Sequence, residues 1–501
     1  MTESVAFGAA NYAVLVVYLA IVVGIGLLVS GKQKTTTDFF LAGRNVPWFI
    51  VAMSVFATIT SAVTYMGVPG LVYGENLSIM VGILMMPVVA PFIILLFLPF
   101  YQRLNVTTSY EYILQRFGAN ARYCVSGLFV CARLGWLGTV IYAPALALSV
   151  VTGIELWLAI VLMGLLATAY TALGGLAAVI WTDAAQFVIL VCGVLLVAAS
   201  LMREVPGGVP EILRVAGETG HLNLLEWKPS LTRMTVTVVA VSYFFNFLHD
   251  YGVDQITVQR LLATRSLGAM ARATIVNALM SVVIVGVLAF IGLGLFAYHQ
   301  AWPDRLPDGI VGDQVFPYYI VHALPAGVSG LVIAGIFAAA MSSMDSGINS
   351  LSTVVVNDFI RPARGSNADD KKDLWIARVL VVVFGVFATG VAFFATTIGE
   401  ILKTAQVFLG LFSGPVLALF LLGILTRRGS FVAWLCGVAV AVPATIALQR
   451  WTDVHFVYYF PFSFGLCFVV GLLLSFVFKA PAADPSLTLR GNVVAKRDDS
   501  M

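Results

Sequence analysis

Runs of about 20 apolar residues recur from residue 10 to residue 478, and no other feature constrains this chain as strongly. An α-helix needs about 20 residues to cross the hydrocarbon core of a bilayer. Taking each run as a crossing gives thirteen spans: 10–30, 48–67, 78–101, 122–150, 155–174, 178–201, 234–250, 272–298, 326–358, 374–396, 402–425, 429–447 and 456–478. The residues are 60% hydrophobic and only 11% charged, whereas soluble domains carry about 25% charge. That much apolar surface cannot be hidden in a water-soluble core, so lipid is its solvent. The fold class expected is an all-α polytopic membrane protein.

The leader MTESVAFG has no positive charge, and the apolar run after it is long enough to span, so it reads as a first crossing rather than a cleaved signal. Lys and Arg concentrate in alternate loops and in the C-terminal tail. The positive-inside rule then places the N-terminus outside and the C-terminus in the cytoplasm. The net charge of +3 is dispersed through these loops, which excludes a nucleic-acid surface. Cys124, Cys131, Cys192, Cys436 and Cys467 all lie in apolar segments without metal-ligand spacing, and read as small core hydrophobes. No nucleophile–base pair, metal cluster or cofactor loop is visible, so an enzyme is not expected.

Polar residues interrupt the apolar spans in four places. Span two, SVFATITSAVTYMGVPG, carries Ser54, Thr58, Thr60, Ser61 and Thr64 before Gly67, Pro69 and Gly70. Gly and Pro weaken the helical ladder there, and freed carbonyls persist in a membrane only where they line a cavity or bind an ion. Close helix packing through small residues is the plain alternative. In span nine, Ser342, Ser346 and Asn349 share one face, flanked by Ser343, Asp345 and Ser350. Such a density of oxygen suits a hard cation, and an intramembrane carboxylate points to function by default. Asp183, at the inner end of span six, reads equally as functional or as a solvated helix-end acid. Span seven turns from aromatic residues into His249, Asp250, Tyr251, Gly252 and Asp254, as a half-helix that stops and continues as a surface helix.

Two interrupted spans five apart predict two inverted five-helix repeats with the binding site at the bilayer midplane. The organisation expected is a first helix and inner loop (1–47), a first repeat (48–202), and an external loop bearing a short surface helix (203–233). A second repeat (234–425), two C-terminal helices (426–478) and a disordered cytoplasmic tail (479–501) follow.

Several motifs in this order resemble the sodium:solute symporter family, which holds sodium-coupled transporters of sugars, iodide, monocarboxylates, vitamins, proline and sialic acid. They are DFFLAGRNVPWF, the span-two stretch above, TALGGLAAVIWTDAAQ, DQITVQR and AGIFAAAMSSMDSGINSLSTVVVNDF. The resemblance implies a leucine-transporter-type fold and sodium (Na+) as the coupling ion. It implies a first sodium site from the carbonyls of Ala57, Thr60 and Ala339 and the hydroxyls of Ser342 and Ser343. A second site in some members corresponds to Asp183 and Ser346, with Ser342 a candidate for both. Asp345 stands where a hydroxyl residue is common, so this site can strengthen sodium binding or admit a proton.

Sialic acid transporters resembling this chain carry an arginine in the fourth span; Trp136 stands at that position here, with Arg133 one turn away. Ile83 occupies the position of a polar third-span residue. The run GTVIYAPALAL…TAYTALGGLAAVIWTD is more similar to the iodide, monocarboxylate and vitamin branch. Candidate substrate contacts are Thr60, Ser61, Thr64, Trp136, Tyr243 and Asn246. The function implied is sodium-coupled uptake of a small, monocarboxylate-like organic anion by alternating access. The partners are that small-molecule substrate, sodium ions and the bilayer of a bacterial inner membrane, with no nucleic acid and no obligatory protein partner. A sugar, sialic acid or amino-acid cargo, proton coupling, and an ion channel stay open as alternatives.

Overall fold

The computed structural model describes residues 8–30, 35–224, 227, 230–231, 235–307, 310, 312–365, 369–395, 401–478 and 484–489. Helices and their connecting turns make up the described chain. The first half holds α1 (Ala9–Ser30), α2 (Trp48–Ile59), α3 (Ala62–Gly74), α4 (Met85–Leu96), α5 (Ala119–Thr152), α6 (Leu156–Glu204) and α7 (Gly208–Glu218). The second holds α8 (Val236–Gly252), α9 (Gln255–Leu262), α10 (Leu267–Ala301), α11 (Val328–Val354), α12 (Asp370–Ala395), α13 (Ile401–Leu425), α14 (Phe431–Trp451) and α15 (Tyr459–Leu474).

Every one of the thirteen predicted spans coincides with helix, but only nine described helices are long and apolar enough to cross a membrane on their own. Spans five and six run together as α6. They are separated at Gly175, whose φ of 55° and ψ of −166° only glycine adopts without strain. The amphipathic α7 is the surface helix expected in the external loop. Residues 484–489 differ from the disordered tail expected: they form a short turn in which Leu487 is buried and its carbonyl accepts from the Tyr112 hydroxyl at 2.9 Å. The other residues of 479–501 lie outside the described ones.

The centre of the bundle is α11. All its residues from Val332 to Val354 are buried, serines included, and it packs against α1, α2, α5 and α6. A helix polar on one face and buried all round must satisfy its hydroxyls inside the protein. Its N-terminus is held from α1, where Asn11 Oδ1 accepts from the backbone N–H of Gly327 (2.6 Å) and Gly330 (3.0 Å).

Span two breaks at Thr60–Ser61, not at the Gly67–Pro69–Gly70 cluster, which lies within α3. The consecutive β-branched residues Thr58, Ile59 and Thr60 have low helix propensity. Thr60 leaves the helix with ψ of 76°, and Ser61 is extended. The Ser61 N–H turns back to Ile59 O (3.0 Å), which takes from Ala57 the donor a continuous helix would supply.

Span seven also breaks later than expected. The helix runs unbroken to Gly252, and the N–H groups of Val253 and Asp254 both reach back to His249 O. Asp254 then caps α9 by accepting from Ile256 N at 2.9 Å. The second half of this span is no surface helix: all eight residues of α9 are buried. Its polar side chains find partners on α2 and α11, so folding inward costs fewer lost water contacts than composition alone implies.

Candidate ion and solute site

The break between α2 and α3 faces the serine row of α11. Ser342 Oγ donates to Ala57 O at 2.7 Å and lies 3.2 Å from Ala339 O. Ser343 Oγ donates to Thr58 O at 2.6 Å and lies 3.1 Å from Ala339 O. Four of the five residues expected at the first sodium site therefore meet: Ala57, Ala339, Ser342 and Ser343. The fifth oxygen in the cluster is the carbonyl of Thr58, while no described bond draws the Thr60 carbonyl in; Thr60 faces the neighbouring cavity. Two hydroxyls and three carbonyls, all neutral oxygens in a buried setting, form a donor set suited to a hard monovalent cation.

The three residues assigned to a second site also converge, around a group that had no assigned role. Asp183 is fully buried, and its Oδ2 accepts from Ser54 Oγ (2.6 Å), Thr58 Oγ1 (3.3 Å) and Arg260 Nη2 (3.1 Å). Ser346 Oγ lies 3.0 Å from Thr58 Oγ1 and 3.2 Å from Asp345 Oδ1, and Arg260 Nη2 also bonds it. Arg260 completes its set with Ser54 Oγ (2.9 Å) and Ile256 O (2.8 Å). Asp183 is thus not a solvated helix-end acid. Its Oδ1 is buried with no hydrogen-bond partner among the described residues, an acceptor still open to a cation. One residue before Arg260, Gln259 joins Asn349 Oδ1 (3.2 Å), Thr353 Oγ1 (2.9 Å) and Ser350 Oγ (3.1 Å).

Beside the α2–α3 break lies a cavity whose wall includes all six candidate substrate contacts: Thr60, Ser61, Thr64, Trp136, Tyr243 and Asn246. Thr60 and Ser61 are 5% and 4% exposed. Neither hydroxyl is bonded by another described residue, so both are available to a solute. Tyr243 reaches the wall because Gly82 leaves room for it: a Cβ at Gly82 would sit 2.6 Å from the Tyr243 ring. Asn246 is turned by its amide toward Ser242, O at 2.9 Å and Oγ at 3.2 Å. Ile83 lines the cavity as expected.

Arg133 is committed elsewhere. Its Nε donates to Asp254 Oδ2 at 3.0 Å, its Nη2 bonds the same oxygen, and its guanidinium lies over the Trp136 ring at 4.9 Å. Asp250 Oδ1 is 3.9 Å from Arg133 Nη2. The sequence reading gave no role to Arg260, Gln259 or Asp254. All three lie in or beside the DQITVQR motif, and an arginine amid apolar residues was the available signal.

With the geometry in place, comparisons with known proteins bear on it. The sodium:solute symporter family model matches residues 39–437. The sodium/sialic acid symporter SiaT of Proteus mirabilis (strain HI4320) is 32% identical over 484 residues, 96% of this chain and 97% of that protein. The human sodium-coupled monocarboxylate transporter 1 is 34% identical over 455 residues, 89% of this chain and 73% of that protein. A substrate-bound outward-open structure of a Na+-coupled sialic acid symporter superposes with a TM-score of 0.90 at 31% identity, covering 95% of this chain and 99% of the other. A closed nucleobase-cation-symport-1 family transporter shares the fold, with a TM-score of 0.58 at 15% identity, covering 89% and 96%.

Proposed function

The chain belongs to the sodium:solute symporter family, and from that premise we propose that it carries a small organic acid inward with sodium by alternating access. It is a sodium-coupled solute symporter of the leucine-transporter fold, not an enzyme. The finer reading rests on one observation: the ion cluster and the solute cavity are built from consecutive residues of a single helix break. Ala57 and Thr58 give carbonyls to the serine pair of α11, while Thr60 and Ser61 face the cavity with open hydroxyls.

In this reading sodium enters between the Ser342 and Ser343 hydroxyls and the Ala57, Thr58 and Ala339 carbonyls, bracing α11 against the break. The Asp183, Asp345 and Ser346 cluster is the candidate second cation site, with Asp183 Oδ1 as its open ligand. A carboxylate in the cavity meets the Thr60 and Ser61 hydroxyls and the free N–H groups that begin α3, where the helix dipole favours an anion. The monocarboxylate-like cargo expected from the sequence fits these donors. Coupling is reciprocal: substrate tightens sodium binding by the factor by which sodium tightens substrate binding. The membrane potential adds about 2.3 kcal/mol per charge per 100 mV. The thirteen-span topology, the two-repeat boundaries and the cytoplasmic C-terminus in a bacterial inner membrane belong to the same proposal.

The test is thermal stability of the purified chain across small carboxylates, in sodium and then in potassium. A carboxylate that binds should stabilise in sodium alone, by about 2.7 kcal/mol at a hundred times its Kd. Equal stabilisation in both salts, or none by any carboxylate, overturns the reading.

A further inference from the structure

The charges around the cavity are unequally paired, and the inequality names the cargo more closely. Arg133 and Asp250 are the only charged residues among those described as lining it. The Arg133 guanidinium gives both its near N–H groups to Asp254, which is 2% exposed and also caps α9. Asp250 has Arg133 no nearer than 3.9 Å and His249 Nδ1 at 2.9 Å, and its side chain is 23% exposed toward the cavity. Two carboxylates therefore share one guanidinium, and the one facing the solute is the less closely paired with it. At low dielectric such a charge repels an anion and attracts a cation far more strongly than in water.

The wall beside Asp250 is suited to that cation. Tyr243, Phe247 and Tyr251 recur every fourth residue on α8, with ring centroids 5.5 and 6.0 Å apart, and all three line the cavity with Trp136. Aromatic faces attract ammonium groups, most strongly when both are desolvated. A simple monocarboxylate would leave this end of the cavity unused and place a second negative charge near Asp250.

We infer that the solute is a zwitterion whose ammonium binds Asp250 within the Trp136–Tyr243–Phe247 wall while its carboxylate takes the Thr60 and Ser61 hydroxyls. The inference rests on the proposed function, since it assumes that a carboxylate enters this cavity. It makes Asp250 a specificity-determining residue and assigns Arg133 to holding Asp254 rather than to the substrate.

The experiment compares matched pairs on the full purified chain in sodium: small α-amino acids and N-methylated betaines against their desamino and N-acetyl counterparts, read by ligand-induced thermal stabilisation. The best zwitterion should reach half-effect at least about tenfold below its uncharged-nitrogen partner, a difference of about 1.4 kcal/mol. In the Asp250→Asn variant that ratio should shrink to about threefold or less. The wild-type comparison stands by itself if the variant does not fold. Desamino acids that bind as tightly as the zwitterions, or a ratio unchanged in Asp250→Asn, would overturn the inference and leave the carboxylate reading intact. Failure of every carboxylate, with or without an ammonium, would overturn both.

Discussion

The Arg260 guanidinium lies 3.1 Å from the Asp183 carboxylate, and neither side chain has any exposure. The two residues are 77 positions apart, on α9 and α6, and the pair ties the second half of a broken span to a distant helix. A buried pair of this kind is worth little against an apolar replacement of both members, but removing one partner strands a charge.

Arg260→Gln should therefore destabilise the protein by about 3–5 kcal/mol, seen as a lowered Tm of the purified chain. Adding Asp183→Asn to it should recover a large part of that loss. A double variant no more stable than Arg260→Gln would show that the arginine matters through its other bonds, to Ser54, Ser346 and Ile256 O.

Ser343→Ala removes the hydroxyl that meets Thr58 O at 2.6 Å. Stability without sodium should fall by about 1 kcal/mol, the net worth of one hydrogen bond. Sodium activation of uptake should suffer more, with half-saturating sodium rising about tenfold. Unchanged sodium dependence would remove this cluster from the ion's path.

Asn11→Ala deletes the acceptor for two N–H groups at the start of α11. A lost helix cap costs about 1–2 kcal/mol, and Tm should drop accordingly, with Asn11→Asp milder because it keeps the acceptor. Intact stability in Asn11→Ala would mean that water replaces the side chain there.

Glu111 supplies a pH signature outside the spans. Its Oε1 accepts from the backbone N–H of Thr107 (3.1 Å) and Thr108 (3.2 Å), yet burial raises its pKa above the ordinary 4.5. The folded protein then holds a proton that the unfolded chain has already released. Its contribution is fully present below 4.5 and is lost as pH rises through the raised value. Glu111→Gln keeps the oxygen acceptor and cannot titrate, so its Tm should fall less over that window than the parent's. Parallel Tm profiles would show that Glu111 does not titrate there.

The helices were legible because lipid imposes one simple rule, a sufficient length of apolar chain. Ser342, Ser343 and Asp345 were legible for the converse reason: oxygen crowded into such a length has few explanations. The position of the span-two break was not. Gly67, Pro69 and Gly70 are the strongest local breakers, but the chain parts at Thr60 because β-branching weakens the helix there and serines 285 positions away take the freed carbonyls. Arg260 escaped notice for the same reason. Taken alone, a segment ending in QRLLATR belongs on a surface, and only the hydroxyls of α2 and α11 with the Asp183 carboxylate make an interior place for it. The engagement of Arg133 with Asp254, 121 positions away, is likewise written in no local pattern.

Because the candidate ion ligands and the candidate cargo ligands occupy neighbouring positions of one backbone break, the proposed function has the two properties inherited together. In that reading a substitution at Ile59, Thr60 or Ser61 that retunes what is carried also acts next to the carbonyls of Ala57 and Thr58, and so bears on how tightly the ion is held. The far wall of the cavity, Trp136 on α5 and Tyr243 on α8, carries no such obligation. Lineages of this protein that change diet while keeping their energetics should accumulate their differences on that wall, and a designer seeking a new cargo should begin there.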